Sequence, residues 1–221
     1  MITDKKVIIL ILALSALTHF AFFGHPNQTV FDEVHFGKFI SGYFTGEYFF
    51  DIHPPLGKLL ISGMGYLTGF QPGFSFAEIG KTFPDRQYLW LRFLPALAGT
   101  LLPLIIFLLA KQLNFSSKAS LLAALLVIFE NALTIQSRLI LLDSFLLLFG
   151  FSALLFYFKS RRIKVKPLSD PGSTLGWRWL ILAGLSAALA ASVKWTGLAF
   201  LGIILILELI RIVEFIVQRR R

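Results

Sequence analysis

The chain has 221 residues, 56% of them hydrophobic and 15% charged, with 24 Phe and a mean hydropathy of +0.75. Its apolar runs exceed what one soluble core of this size can bury, whereas bilayer spans of about 20 residues each would use them up, so a soluble or disordered chain is excluded. The net charge of +9 does not indicate nucleic acid, because Lys and Arg sit at the ends of apolar runs and not on one basic face, and the lack of Cys removes disulfides, thiolate nucleophiles and cysteine metal sites.

The first apolar run, 7–23, follows Lys5 and Lys6. It is longer than a signal-peptide core and no small-residue cleavage site follows, so it reads as an uncleaved span. Residues 24–89 are mixed in charge and rich in Pro and Gly, and form the one long polar segment. Within it, Pro54-Pro55 opens an apolar, Gly-rich stretch from Leu56 to Phe70 that is too short to span and reads as a helix lying in the membrane interface.

Five further runs, at 91–110, 119–137, 139–158, 177–193 and 196–217, complete a six-span all-α membrane protein. Ser137-Arg138 leaves room only for a tight hairpin between the third and fourth spans, and Lys194 to Gly197 does the same between the fifth and sixth. Alternating the spans from a cytoplasmic N-terminus puts 14 of the 21 Lys and Arg inside, and the Lys159 to Lys166 loop fixes the orientation. The long first loop and the Arg138 and Lys194 turns are then extracytoplasmic. Asn27-Gln28-Thr29 is a glycosylation acceptor sequence on that side, and Asn114-Phe115-Ser116 falls on the other.

Asp32-Glu33 stands close enough to the first span to meet a lipid headgroup. Adjacent carboxylates point in different directions on a helix, so one can face a reacting group while the other holds a substrate or a cation. Taken alone, the pair reads more readily as the acidic first turn of a helix over Val34 to Phe39. His53-Pro54-Pro55 pins a histidine near the membrane plane before a helix start. His35, His53 and Asp32 lack metal-ligand spacing, so no metal is expected.

Ionisable residues at the ends of apolar runs are costly and default to functional candidates. Arg92, Glu130, Arg138, Asp143 and Lys194 all fall at the extracytoplasmic ends. Three cations and two carboxylates there suit an anionic headgroup, Arg being adapted to bidentate phosphate contact. They equally suit salt bridges that only orient helices, such as Asp143 with Arg138.

Four stretches in order, FDEVHFGKFISGYFTGEYFFDIHPPLGKLL (Phe31 to Leu60), LRFLPALAGT (Leu91 to Thr100), FENALTIQSRLILLDSFLL (Phe129 to Leu147) and SVKWTGL (Ser192 to Leu198), resemble the protein O-mannosyltransferases. These are polytopic glycosyltransferases of the GT-C type that use a polyprenyl (dolichyl) phosphate mannose donor. The resemblance implies a GT-C helical bundle whose first extracytoplasmic loop carries interfacial helices.

It further implies that Asp32 is the general base toward an acceptor Ser or Thr hydroxyl of a protein, with Glu33 beside it holding acceptor or donor. Arg92, Arg138 and Lys194 would lie near the donor phosphate, His53, Pro54 and Pro55 would shape the loop beneath it, and Asp143 and Glu130 would complete the site's walls. Transfer would invert a β-linked donor to an α-linked product, with no cofactor. The alternatives are a related enzyme moving another sugar, such as aminoarabinose, to a lipid acceptor, and an inactive fragment or non-enzymatic membrane subunit.

Members of the family continue with several more spans. The chain is therefore expected to be either a fragment of a longer protein or an N-terminal half that works with a C-terminal half or a homologous subunit. The expected location is the plasma membrane in a prokaryote and the endoplasmic reticulum membrane in a eukaryote.

Overall fold

A computed structural model describes residues 4–162 and 174–219; Lys164 and Lys166 of the orienting loop lie outside the described residues, as do Arg220 and Arg221. The described residues are helical apart from turns and one isolated bridge, Gln28 to Thr82. In chain order the helices are α1 (Asp4–Phe20), α2 (Glu33–Thr45), α3 (Leu56–Thr68), α4 (Tyr88–Gln112), α5 (Ser117–Ile128), α6 (Asn131–Ser137), α7 (Asp143–Arg162), α8 (Thr174–Val193) and α9 (Leu198–Arg219). The all-α architecture read from the sequence is the one observed.

Long helices occupy the apolar runs. By length and composition α4, α7 and α8 can cross a membrane, and α5 with α6 would make a fourth span bent by 58°. α1 is 17 residues long, and α9 carries Glu208, Arg211 and Glu214 along its 22 residues. Charge and length, and not lack of helix, set these two apart from the others.

Two features differ from the six-run reading. The run over 119–137 is two helices, broken at Phe129-Glu130, because the Glu130 carboxylate accepts from the backbone N–H groups of Ala132 and Leu133 and caps α6. The run over 139–158 begins as non-helical chain: Leu139 to Leu142 are all buried, and α7 starts only at Asp143. Apolar composition alone does not distinguish the buried 139–142 turn from helix, since both exclude water, whereas the break at Phe129-Glu130 is exposed.

α2 and α3 form a cover over one end of the long helices. On α2 the buried residues Glu33, Phe36, Gly37 and Ile40 recur at the spacing of one helix face, while His35 and Lys38 face out. α3 starts after Pro55, where a missing N–H is no loss, and buries Gly57, Lys58, Ile61, Ser62 and Gly65 against α4 and α8. Both end on glycines with φ of 73°, Gly46 and Gly69.

The cover is sealed by aromatic packing. Phe36, Phe76, Phe83, Tyr88 and Leu91 share a core with Leu139 to Leu142 and Phe145. Gly37 lets the Phe76 ring lie directly on α2; a Cβ there would come within 2.1 Å of it. This core fixes the first residues of α2 against α4 and the 138–142 segment, and so positions the site.

Candidate functional site

Glu33 and Arg92 stand at the centre, both with fully buried side chains. Arg92 donates from Nε to Glu33 Oε1 at 2.8 Å and from Nη2 to Oε2 at 2.7 Å. The same carboxylate accepts from the Val30 N–H and the Ile140 N–H, each at 2.9 Å, so each oxygen receives two hydrogen bonds. Arg92 also donates to the carbonyls of Pro26 and Gln28 and lies over the rings of Tyr88 and Phe83.

This pair ties the 24–30 loop, α2, α4 and the turn before α7 to one another. It also answers what satisfies Ile140, whose buried backbone N–H has left the helix. The sequence expectation placed Arg92 on a donor phosphate and Glu33 on a substrate. Both groups are instead closed off by each other, because a buried guanidinium is tolerated only beside a carboxylate with its other protons bonded.

Asp32 is the opposite case. It occupies the position before α2, yet its carboxylate makes no capping hydrogen bond and no ion pair among the described residues. It lines an open groove of about 270 Å³ together with His35, Phe36, Phe39, Asp51 and His53, with Phe50 and Ile52 also on its wall. The adjacent carboxylates thus point apart, one inward to Arg92 and one into the groove.

The His53-Pro54-Pro55 loop forms the facing wall. His53 stacks on Phe36 with ring centroids 6.1 Å apart. The loop is held from below by Lys58, which is 1% exposed, ion-pairs with Asp51 and donates to the carbonyls of His53 at 2.9 Å and Pro54 at 3.2 Å. Neither Asp51 nor Lys58 was singled out from the sequence. The available signal was that Lys58 is the one charged residue in α3, on the helix face that the Gly57 and Ile61 pattern buries.

Asp143 and Lys194 meet across the starts of α7 and the turn after α8, with Nζ 2.8 Å and 2.9 Å from the two carboxylate oxygens. Asp143 therefore pairs with Lys194 and not with Arg138. The pair is partly exposed, and the next residue, Trp195, donates from its indole to the Ile52 carbonyl at 3.0 Å. That bond brings the Lys194 turn to the loop that carries His53.

Arg138 lies elsewhere. Its Nη2 donates to the carbonyls of Ala21 and Phe22, and it lines a separate open cavity with His25, Asn27, Asp85, Arg86 and Tyr88. Burial, and then the positive charge of Arg92, lower its pKa from the usual guanidinium value. Glu130 is an exposed helix cap and is not among the residues that line the groove. No group of three or more His, Cys, Asp or Glu side chains suited to a metal occurs among the described residues.

Residues 9–220 match the family model described as dolichyl-phosphate-mannose-protein mannosyltransferase. The chain belongs to that family. It is 38% identical over 195 residues to dolichyl-phosphate-mannose–protein mannosyltransferase 4 of Schizosaccharomyces pombe, covering 87% of this chain and 25% of that protein. It is 38% identical over 187 residues to protein O-mannosyl-transferase 1 of Mus musculus, covering 84% of this chain and 25% of the mouse protein.

Among solved structures it is similar to the Saccharomyces cerevisiae protein O-mannosyltransferase Pmt1-Pmt2 complex bound to the sugar donor. The TM-score is 0.81 at 32% identity, over 90% of this chain and 27% of that one. The chain thus spans about a quarter of the length of these mannosyltransferases. With its apolar helices, membership makes it a multi-pass membrane protein.

Proposed function

We propose that this region carries the acceptor-activating part of a protein mannosyltransferase that uses a polyprenyl-phosphate mannose donor and Ser or Thr hydroxyls of proteins at the extracytoplasmic face. The observation that carries the reading is the contrast within Asp32-Glu33: Glu33 is saturated by Arg92 and two backbone N–H groups, while Asp32 opens into a groove with no side-chain partner among the described residues.

In the proposed reaction Asp32 removes the proton from the acceptor hydroxyl as its oxygen attacks the anomeric carbon. The bond from that carbon to the phosphate oxygen breaks, and the lipid phosphate leaves with the electron pair. Displacement from the opposite side converts a β-linked donor into an α-linked product. Lys194, held by Asp143 and tied to the groove wall through Trp195 and Ile52, is placed in the role of cation for the leaving phosphate. No metal enters this scheme.

The names of the relatives and of the donor-bound complex support the donor and acceptor classes, and that complex supports a homologous subunit as partner. The test is transfer of labelled mannose from polyprenyl-phosphate mannose to a Ser- or Thr-bearing peptide by the intact protein in membranes. Label on the peptide that α-mannosidase releases is expected. Transfer of a different sugar, or to lipid only, would reject the proposal.

A further inference from the structure

Between the end of α2 and Pro54 the chain alternates. Tyr48, Phe50 and Ile52 are 86%, 76% and 68% exposed. The residues between them turn inward: Phe49 stacks on Phe39 with centroids 4.8 Å apart, and Asp51 is ion-paired with the buried Lys58. A period of two is that of extended chain, so the three outward side chains form one strip. Phe50 and Ile52 also edge the Asp32 groove, and three adjacent large apolar groups left so exposed mark a surface that meets something other than water.

The fold fixes the height of this strip. The Ile52 carbonyl accepts from the Trp195 indole, and Trp195, itself 64% exposed, sits in the turn joining α8 to α9. Such a turn between apolar helices lies at a membrane boundary, where Trp and Tyr concentrate because one end of the ring is apolar and the other wet. The apolar outer faces of both helices continue from there, with Leu185, Leu189, Leu198 and Leu201 exposed.

We propose that Tyr48, Phe50 and Ile52 are a lipid-inserted strip, seated in the leaflet on the α2–α3 side at the depth set by Trp195. The partner is the bilayer: acyl chains for Phe50 and Ile52, the headgroup layer for the Tyr48 hydroxyl. Because the same segment supplies Asp51 and His53, insertion sets the height of the groove wall above the membrane. The inference rests on the chain being a membrane protein and is independent of the proposed transfer reaction, so its test reads depth and not activity.

This chain has no cysteine. Tyr48→Cys, Phe50→Cys and Ile52→Cys, each introduced into the intact protein in lipid nanodiscs, are labelled with a bimane fluorophore, with the unsubstituted protein as labelling background. Brominated acyl chains probe contact with lipid, and iodide probes contact with water. The side chains are exposed, so the substitutions leave packing in place. Loss of fluorescence at Phe50→Cys with brominated lipid, falling off toward Tyr48→Cys, is the expected result. No quenching by lipid at Phe50→Cys overturns the proposal, whether iodide quenches it, meaning water, or neither agent does, meaning cover by protein.

Discussion

The Glu33 carboxylate and the Arg92 guanidinium, 59 residues apart in the chain, are joined by two hydrogen bonds of 2.8 and 2.7 Å with neither side chain exposed. The pair separates the roles of two neighbouring acids. Glu33 holds four chain segments in register, and that rigidity leaves Asp32 facing outward at the start of α2.

Removing either partner should unfold the site. Glu33→Gln or Arg92→Met should each lower stability by about 3–5 kcal/mol, the range for leaving a buried charge unpaired. The midpoint of thermal unfolding in detergent measures this. Arg92→Met with an unchanged midpoint and a raised donor KM would return Arg92 to the phosphate site.

The Asp51–Lys58 pair should behave similarly, with a further diagnostic. Lys58→Met alone leaves Asp51 unpaired and releases the carbonyls of His53 and Pro54, and should cost about 3–5 kcal/mol. The double variant Asp51→Leu/Lys58→Met should recover much of that loss. Additive losses in the double-mutant cycle would show that the two groups do not act as a pair.

Much of this was legible in the sequence. The apolar runs and Pro54-Pro55 gave the helices, and α3 begins at Leu56 where the prolines require it. The motif resemblance named the family. Illegible were the break at Glu130, where one charged residue inside an apolar run turns out to be a helix cap, and the turn over Leu139 to Leu142, whose apolar composition is that of the helix around it. Also hidden was which acid meets which cation. Glu33 with Arg92 and Asp143 with Lys194 are contacts made by folding across many residues, and charge at the ends of runs gives no pairing.

Lys194→Met tests the phosphate assignment. Loss of a charge-assisted hydrogen bond, about 1.5–3 kcal/mol, should raise the donor KM by about 10- to 150-fold and leave the acceptor KM little changed. An unchanged donor KM would confine Lys194 to orienting Asp143.

Glu130→Ala should cost about 0.5–2 kcal/mol through the lost cap of α6. Transfer per folded molecule should stay as in the parent. A selective fall in kcat at full stability would bring Glu130 back into the site.

The most direct measurement is transfer by Asp32→Asn in the intact protein, with stability and donor binding followed in the same preparation. Asn matches Asp in size and is as good at a helix start, so a structural role predicts little change. A base role predicts a fall in kcat of about 100-fold or more, near 3 kcal/mol, with melting midpoint and donor affinity unchanged. Near-parental kcat in a folded, donor-binding Asp32→Asn protein would contradict the assignment of Asp32 as the base.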